Sequence, residues 1–250
     1  MFEFQVSSVD RFRNLVKALA AVVVEGCFHL DESGVELMAM DPSHVSMVDF
    51  RLPAEFFDAY NCKEETMLSI RVEEFLRFLD RIRKEEEVAI KLEEDKAQLH
   101  IHSTSGGHTR RFVIPILEPL EEAIPQPKVF YKSSARILIG SLRRALRDAS
   151  LVSEQVELHV SGAEVKMSAV GNMGSTDSVW SREAEDLLEV AAEEESEGRY
   201  YLSYLRDMVN AAASSCEVAT LELSTEMPLK INFELPQGRL IYYLAPMIGA

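Results

Sequence analysis

The sequence predicts an α+β protein of two similar domains, each a duplicated strand-helix-strands module. Three observations carry this: short strings that recur in one order in both halves, four amphipathic stretches of helical period, and alternating apolar and polar residues between them. Phe4-Gln5-Val6-Ser7-Ser8 is echoed by Phe130-Tyr131-Lys132-Ser133-Ser134, and Ser33-Gly34-Val35-Glu36-Leu37 by Ser161-Gly162-Ala163-Glu164-Val165. Met67-Leu68-Ser69 matches Tyr201-Leu202-Ser203, and Glu87-Val88-Ala89-Ile90-Lys91-Leu92 matches Glu217-Val218-Ala219-Thr220-Leu221-Glu222. Four matches in register indicate four copies of one small α+β module.

The first helix is expected over Asp10 to Ala20, with Phe12, Leu15, Val16 and Leu19 on its apolar stripe. Val35, Leu37 and Ala39 then alternate with Glu36, Met38 and Met40. Asp41-Pro42-Ser43 turns the chain into Val45, Met47 and Val48, so two strands meet at a corner that holds His44. No serine, cysteine or carboxylate lies at catalytic spacing from His44, which reads as a corner residue. Further helices are expected over Val72 to Lys84 (Phe75, Leu79 and Ile82 inward), Ser134 to Asp148 (Leu138, Leu142, Ala145 and Leu146) and Tyr201 to Ala213 (Leu205, Met208, Val209 and Ala212). The stretch Ile114 to Pro127 holds four of the nine prolines. Proline removes donors and favours extended backbone, so this is a connector, in which Leu120 and Ile124 either pin the segment down or border a groove. The expected division is a domain over 1–117, a connector over 118–128 and a domain over 129–250. Glu183 to Glu197 holds eight acids and reads as a solvated segment near an edge strand.

At 47% hydrophobic, the 250 residues suffice for a proper core. No apolar run approaches the roughly 18 residues of a membrane span. Met1-Phe2-Glu3-Phe4-Gln5 lacks the features of a signal peptide, and the expected location is the cell interior. Cys27, Cys62 and Cys216 are far apart and read as buried free thiols. A formal charge of -16 argues against nucleic acid until its distribution is examined. The four expected helices contain 12 of the 26 basic residues but only 6 of the 42 acids. Their outer faces carry Arg13 and Lys17; Arg77, Arg81 and Lys84; Arg136, Arg143 and Arg147; and Arg206 beside Asn210. Helices facing one way would make one basic surface against an acidic exterior, able to attract a polyanion without reading its bases.

Catalytic signatures are missing: no phosphate-cradling glycine loop, no G-x-S-x-G, no H-E-x-x-H and no cysteine set at metal spacing. His100 and His102 share a strand over Leu99 to His102, and His108 follows a turn over Ser103 to Gly107. A metal-dependent enzyme using these three histidines is the reading from another class, although the exposed face of a hairpin explains them. Turn chemistry accounts for Asp31, Glu32 and Asp41.

These residues also match a family. Ser33-Gly34-Val35 through Met40-Asp41, Ser43-His44-Val45-Ser46, Met227-Pro228-Leu229 and Tyr242-Tyr243-Leu244-Ala245-Pro246-Met247-Ile248 closely resemble DNA sliding clamps of the proliferating cell nuclear antigen type, in their archaeal and eukaryotic form. The resemblance covers the whole chain, including the duplicated halves and the connector. It implies that three chains close head to tail into a ring, with helices lining the hole, sheets outside and duplex DNA threading through. The implied role is a polymerase processivity factor, not an enzyme, with no cofactor or metal. By position, the DNA-facing residues would be Arg11, Arg13, Lys17, Arg77, Arg81, Lys84, Arg143, Arg144, Arg147 and Arg206. A groove for partner peptides would comprise Met40, His44, Val45, Met47, Leu120, Ile124, Pro125, Met227, Pro228, Tyr243, Leu244, Ala245 and Pro246. Subunit contacts would use Thr109, Arg110, Arg111 and Phe112 on one side and Thr176, Asp177, Ser178, Val179, Trp180 and Ser181 on the other. Implied partners are double-stranded DNA of any sequence, further copies or paralogous clamp subunits, the replicative DNA polymerase, clamp loader, flap endonuclease, DNA ligase and other proteins with a clamp-binding peptide, and no membrane. The location would be cytoplasmic and nucleoid-associated in an archaeon, nuclear in a eukaryote. A subunit of a heterotrimeric or checkpoint-type clamp is the alternative within the family.

Overall fold

Phe2, Phe4 and Val6 are buried while Gln5 is exposed, and that two-residue period makes the first strand, β1 (Phe2–Val6). The computed structural model describes residues 2–7, 9–93, 97–119, 124–125 and 127–247. The chain continues through α1 (Val9–Ala20), β2 (Glu25–Asp31), β3 (Gly34–Met40), β4 (Ser46–Pro53), a 3-10 turn (Ala54–Phe56), β5 (Ala59–Cys62), β6 (Thr66–Arg71), α2 (Val72–Leu79), β7 (Glu87–Glu93), β8 (Gln98–Ser105) and β9 (His108–Pro115). Then follow β10 (Ser133–Leu138), α3 (Ile139–Ala149), β11 (Gln155–Val160), β12 (Glu164–Gly171), β13 (Gly174–Ser181), β14 (Leu187–Ala192), β15 (Ser196–Tyr201), α4 (Leu202–Ala212), β16 (Val218–Leu223), β17 (Leu229–Phe233) and β18 (Arg239–Leu244). Each helix of the second set starts 130 residues after its counterpart, Ile139 after Val9 and Leu202 after Val72.

Two compact units divide these elements. One takes Met1–Pro42, Val48–Ile124 and Pro236–Arg239; the other takes Ser43–Met47, Pro125–Leu235 and Leu240–Ala250. In the first, an antiparallel sheet runs β5-β1-β7-β8-β9, and β4-β3-β2-β6 lie side by side in that order. Helices α1 and α2 pack together and bury Phe12, Leu15, Val16 and Leu19 from one and Phe75 and Leu79 from the other. An aromatic chain ties sheet to helices: Phe4 lies 4.6 Å from Phe57 and 5.5 Å from Phe12, which lies 6.1 Å from Phe75. Fully burying each such ring contributes roughly 1.5–3 kcal/mol. At the β2–β3 turn, Asp31 Oδ1 accepts bonds from Ser33 N (2.7 Å), Ser33 Oγ (2.7 Å) and Gly34 N (3.1 Å). The Ser33 hydroxyl, with these amides, holds the Asp31 carboxyl below its ordinary range. Gly34 sits at φ +143, where a Cβ would lie 2.1 Å from the Leu52 carbonyl, so no side chain fits.

The second unit repeats the plan, with a sheet β14-β10-β16-β17-β18 and another β13-β12-β11-β15. Trp180 of β13 is buried, and its Nε1 donates to Ser141 Oγ of α3 at 2.8 Å. Sheet and helix are thereby locked together. This corrects the expectation that Trp180 faces a second subunit: on a strand its parity points it inward, between the exposed Val179 and Ser181.

Two helix boundaries also differ from expectation. The third helix does not start at Ser134: Ser133–Leu138 is strand β10, bonded on both sides to β14 and β16, with Ala135 and Ile137 inward. Arg136 therefore lies on a sheet face, where its Nε and Nη2 each donate to Glu234 at 2.7 Å. Helix α2 ends at Leu79, and residues up to Lys84 continue as turns in which Ile82 is still buried. The β8–β9 turn is the pair Gly106-Gly107, both at positive φ, rather than the five residues Ser103 to Gly107.

Glu86 is buried beside β8 and β9, where it accepts bonds from Ser103 Oγ and Arg110 Nη2. The Ser103 hydroxyl first, and Arg110 second, hold its carboxyl below the ordinary glutamate range. A folded pKa below the unfolded one means stability that is complete above about pH 4.3 and lost as pH falls through the folded value. Glu86→Gln should therefore lower the unfolding free energy by about 1–3 kcal/mol at pH 7. Urea midpoints at pH 7 and pH 3 check this, and the gap to the unchanged protein should narrow at the lower pH.

Candidate nucleic-acid face and partner groove

Charge on the helices sorts into two kinds of arginine. Arg13 of α1 is half-buried: its Nε donates to Leu79 O (3.1 Å), Nη1 to Asp10 Oδ1 (2.5 Å) and Nη2 to Ile82 O. Leu79 is the last residue of α2, whose last four C=O groups lack helical partners, and Ile82 lies in the turn that follows it. Arg13 is thus a cap for the neighbouring helix, which corrects its expected place on an open basic face. At the position 130 residues on, Arg143 of α3 also reaches its neighbouring helix, but through a side chain: its Nε donates to Asn210 Oδ1 of α4 at 3.1 Å.

The remaining cations stay on the surface. Arg77 pairs with Glu73 at 2.8 Å, Arg144 with Asp186 at 3.0 Å, Arg206 with Asp207 at 3.5 Å and Lys84 with Glu85 at 3.8 Å. Arg11 lies over the Phe56 ring at 5.3 Å and donates to Gln237 Oε1 at 3.4 Å. Exposed pairs of this kind contribute about 0–1 kcal/mol, so a phosphate can replace the carboxylate at little cost. Lys17, Arg81 and Arg147 have no ion-pair partner among the described residues, and all three are exposed. Lys17 and Arg147 occupy equivalent positions in α1 and α3.

Residues of the expected groove fall in both units. In the second unit the corner Ser43–Met47 lies against the C-terminal segment, and Ala245 N donates to Val45 O at 2.9 Å. His44 is exposed at φ +57 and stands off the surface. Val45, Pro228, Ala245 and Pro246 are half-buried, while Pro125 and Met227 are exposed. Met247 N donates to Arg199 O at 2.8 Å, which fixes the end of this wall. Met47, Tyr243 and Leu244 are buried in the core, so they support the surface from beneath rather than line it. Met40 and Ile124 are half-buried in the first unit, and Leu120 lies outside the described residues.

The sequence reading missed Tyr131. Its hydroxyl is buried with no hydrogen-bond partner among the described residues, and its ring lies 5.8 Å from Lys230 Nζ. Burial, then the neighbouring Tyr243, pushes that hydroxyl above its ordinary pKa. An unsatisfied buried hydroxyl costs about 1–3 kcal/mol, which marks a place awaiting a partner. The echo of Phe4-Gln5 in Phe130-Tyr131 concealed it, because the string reads as strand rather than site.

Strands β9 and β13 are edges of their sheets. Thr109 and Arg111 on β9 are exposed, as are Asp177 and Ser181 on β13; Thr176 and Ser178 are half-buried. Arg110 instead turns inward to Glu86 and to Arg81 O (2.9 Å), and lies over the half-buried Phe112. His100 and His102 share a face of β8 with ring centroids 6.3 Å apart, paired in register with Lys91 and Arg111. His100 Nε2 lies 3.8 Å from Glu93 Oε2, and no group of three potential metal ligands occurs among the described residues. His108 is exposed at the start of β9.

A duplicated α+β chain with helix pairs on antiparallel sheets and cations concentrated on the helices defines a DNA-clamp architecture. Residues 1–112 match the family described as proliferating cell nuclear antigen, N-terminal domain, and 126–248 match its C-terminal domain. The chain belongs to the proliferating cell nuclear antigen family. It is 31% identical to the DNA polymerase sliding clamp of Thermococcus gammatolerans over 99% of this chain and 98% of that protein. The corresponding clamp of Thermofilum pendens is 29% identical over 98% of this chain and 99% of that one. The crystal structure of PCNA from Thermococcus kodakaraensis shares the fold at a TM-score of 0.92 and 23% identity, covering 99% of this chain and all of that one.

If Arg13 is a cap and Lys17 a free surface cation, alanine should separate them. Arg13→Ala should cost about 1–3 kcal/mol by removing a half-buried guanidinium that bonds Leu79 O, Ile82 O and Asp10, whereas Lys17→Ala should stay within about 0.5 kcal/mol. Thermal unfolding of the two variants checks the difference.

Proposed function

We propose that this protein is a non-catalytic DNA polymerase sliding clamp, three copies of which close head to tail around duplex DNA. The observation that carries the reading is the recurrence, in both units, of an exposed cation with no ion-pair partner among the described residues at one helix position, Lys17 and Arg147, in a chain of net charge -16. Contacts from such residues to phosphates are independent of sequence and weaken steeply with salt, which suits a ring held by topology and free to slide. The edges β9 and β13 support closure. Each exposes an apolar side chain, Val113 at 47% and Val179 at 52%, and an open sheet edge of that kind invites another chain. A heterologous contact between them, repeated three times, would pair β9 and β13 in every copy.

The groove around His44, Val45, Met227, Pro228, Ala245 and Pro246 then receives a peptide carrying a glutamine and apolar or aromatic anchors. The polymerase, clamp loader, flap endonuclease and DNA ligase would present such a peptide. Half-buried aliphatic side chains and the exposed Met227 provide adaptable contact area. The protein would work wherever the cell keeps its DNA, on the nucleoid if the source is archaeal.

Sedimentation should give three times the 28.2 kDa of one chain. A triple Lys17→Glu, Arg81→Glu, Arg147→Glu variant should keep that mass and lose about tenfold or more of its stimulation of a polymerase on primed circular DNA. A monomer at micromolar concentration would overturn the ring, and undiminished stimulation would overturn the channel.

A further inference from the structure

Phe130 is the most exposed large apolar side chain among the described residues, at 90%. Its backbone is nonetheless held firmly. Ser224 Oγ donates to Phe130 O at 3.2 Å and accepts from Lys132 N at 2.8 Å. The same serine's carbonyl accepts from Met227 N at 3.1 Å, closing a turn in which Glu226 has φ +63. Met227 is itself 46% exposed. Phe130 and Met227 thus flank one anchored serine, and an aromatic ring presented on fixed backbone loses little entropy when it is covered.

The surroundings indicate what covers it. Glu226 is exposed in this turn, and Glu197, whose N donates to Thr225 Oγ1 at 3.2 Å, is exposed beside it. Lys132 is already engaged by Glu194 at 3.2 Å. The shelf is apolar with an acidic margin, and Met227 makes it continuous with the Met227–Pro228 part of the groove.

We propose that Phe130 and Met227 form an apolar shelf that takes an aliphatic or aromatic side chain of a partner peptide outside its groove-binding motif, with an adjacent Lys or Arg facing Glu226 and Glu197. This rests on the groove reading above. The shelf would let the protein rank partners that share the same anchors by the residues flanking them.

Calorimetry with synthetic peptides tests it. One carries only the glutamine and the apolar and aromatic anchors; two others add Leu-Lys before or after them. One extended peptide should bind about tenfold tighter than the short one. Phe130→Ser should abolish that gain and leave the short peptide unchanged, while Phe130→Leu should retain most of it. Equal affinities for short and extended peptides would overturn the shelf alone. An equal effect of Phe130→Ser on every peptide would do the same, by assigning the ring to the groove or to the chain's own connector. No binding of the short peptide to the unchanged protein would overturn the groove reading and the shelf with it. Loss of assembled mass in Phe130→Ser would assign the ring to a second copy of the chain instead.

Discussion

The first unit depends on how a short helix ends. Helix α2 has eight residues, so half of its carbonyls have no partner within the helix. Arg13 reaches across from α1 to bond Leu79 O and Ile82 O, and its ion pair with Asp10 keeps the guanidinium in place. This does more than join two helices. It fixes the angle at which α1 lies over α2, and therefore which residues of α1 remain outside. In the other unit Arg143 also reaches from α3 to α4, but it bonds the Asn210 side chain rather than backbone carbonyls, so only the cross-helix link is shared.

Once those two arginines are committed, the other cations acquire meaning. Surface pairs such as Arg77 with Glu73 are worth little in water, and each can trade its carboxylate for a phosphate. The free energy of binding a polyanion then comes from many such exchanges and from released counterions, not from any single tight site. A strongly acidic remainder of the chain is compatible with this, since fields beyond about 8–10 Å are screened at physiological salt and only the local surface counts.

Most of the fold was legible in the sequence because burial alternates cleanly. The stripes of α1 and α4, the strands β3 and β4 and the duplication itself all follow from residue period. Ser134 to Leu138 failed for a specific reason: Leu138 lies at helical spacing from Leu142 and Ala145, so a strand running directly into a helix looks like one longer helix. Only the ladders to β14 and β16 separate them, and a ladder is a long-range fact. Less of the site was legible. Sequence placed Lys17, Arg77, Arg147 and Arg206 on helices correctly, but it put Arg136, Arg81 and Lys84 on helices that stop short of them and could not say which cations were turned inward. Nor could it reveal that Tyr131 hides its hydroxyl, because that depends on Tyr243, more than a hundred residues away.

Strand parity accounts for the rest of the discrepancy. An edge strand must satisfy the core on one face and stay open on the other, so neighbouring residues cannot share a role. Trp180 and Val179 are adjacent, yet one donates to Ser141 beneath the sheet and the other faces solvent. Tyr243, Leu244 and Met47 are buried without such alternation, at the end of β18 and the start of β4, with the half-buried Ala245 and Val45 just beyond the strand ends. A contiguous run of sequence therefore supplies both a recognition surface and its foundation. Substitutions in such a run alternate between two consequences: inward positions alter stability, and outward positions alter binding while the fold persists.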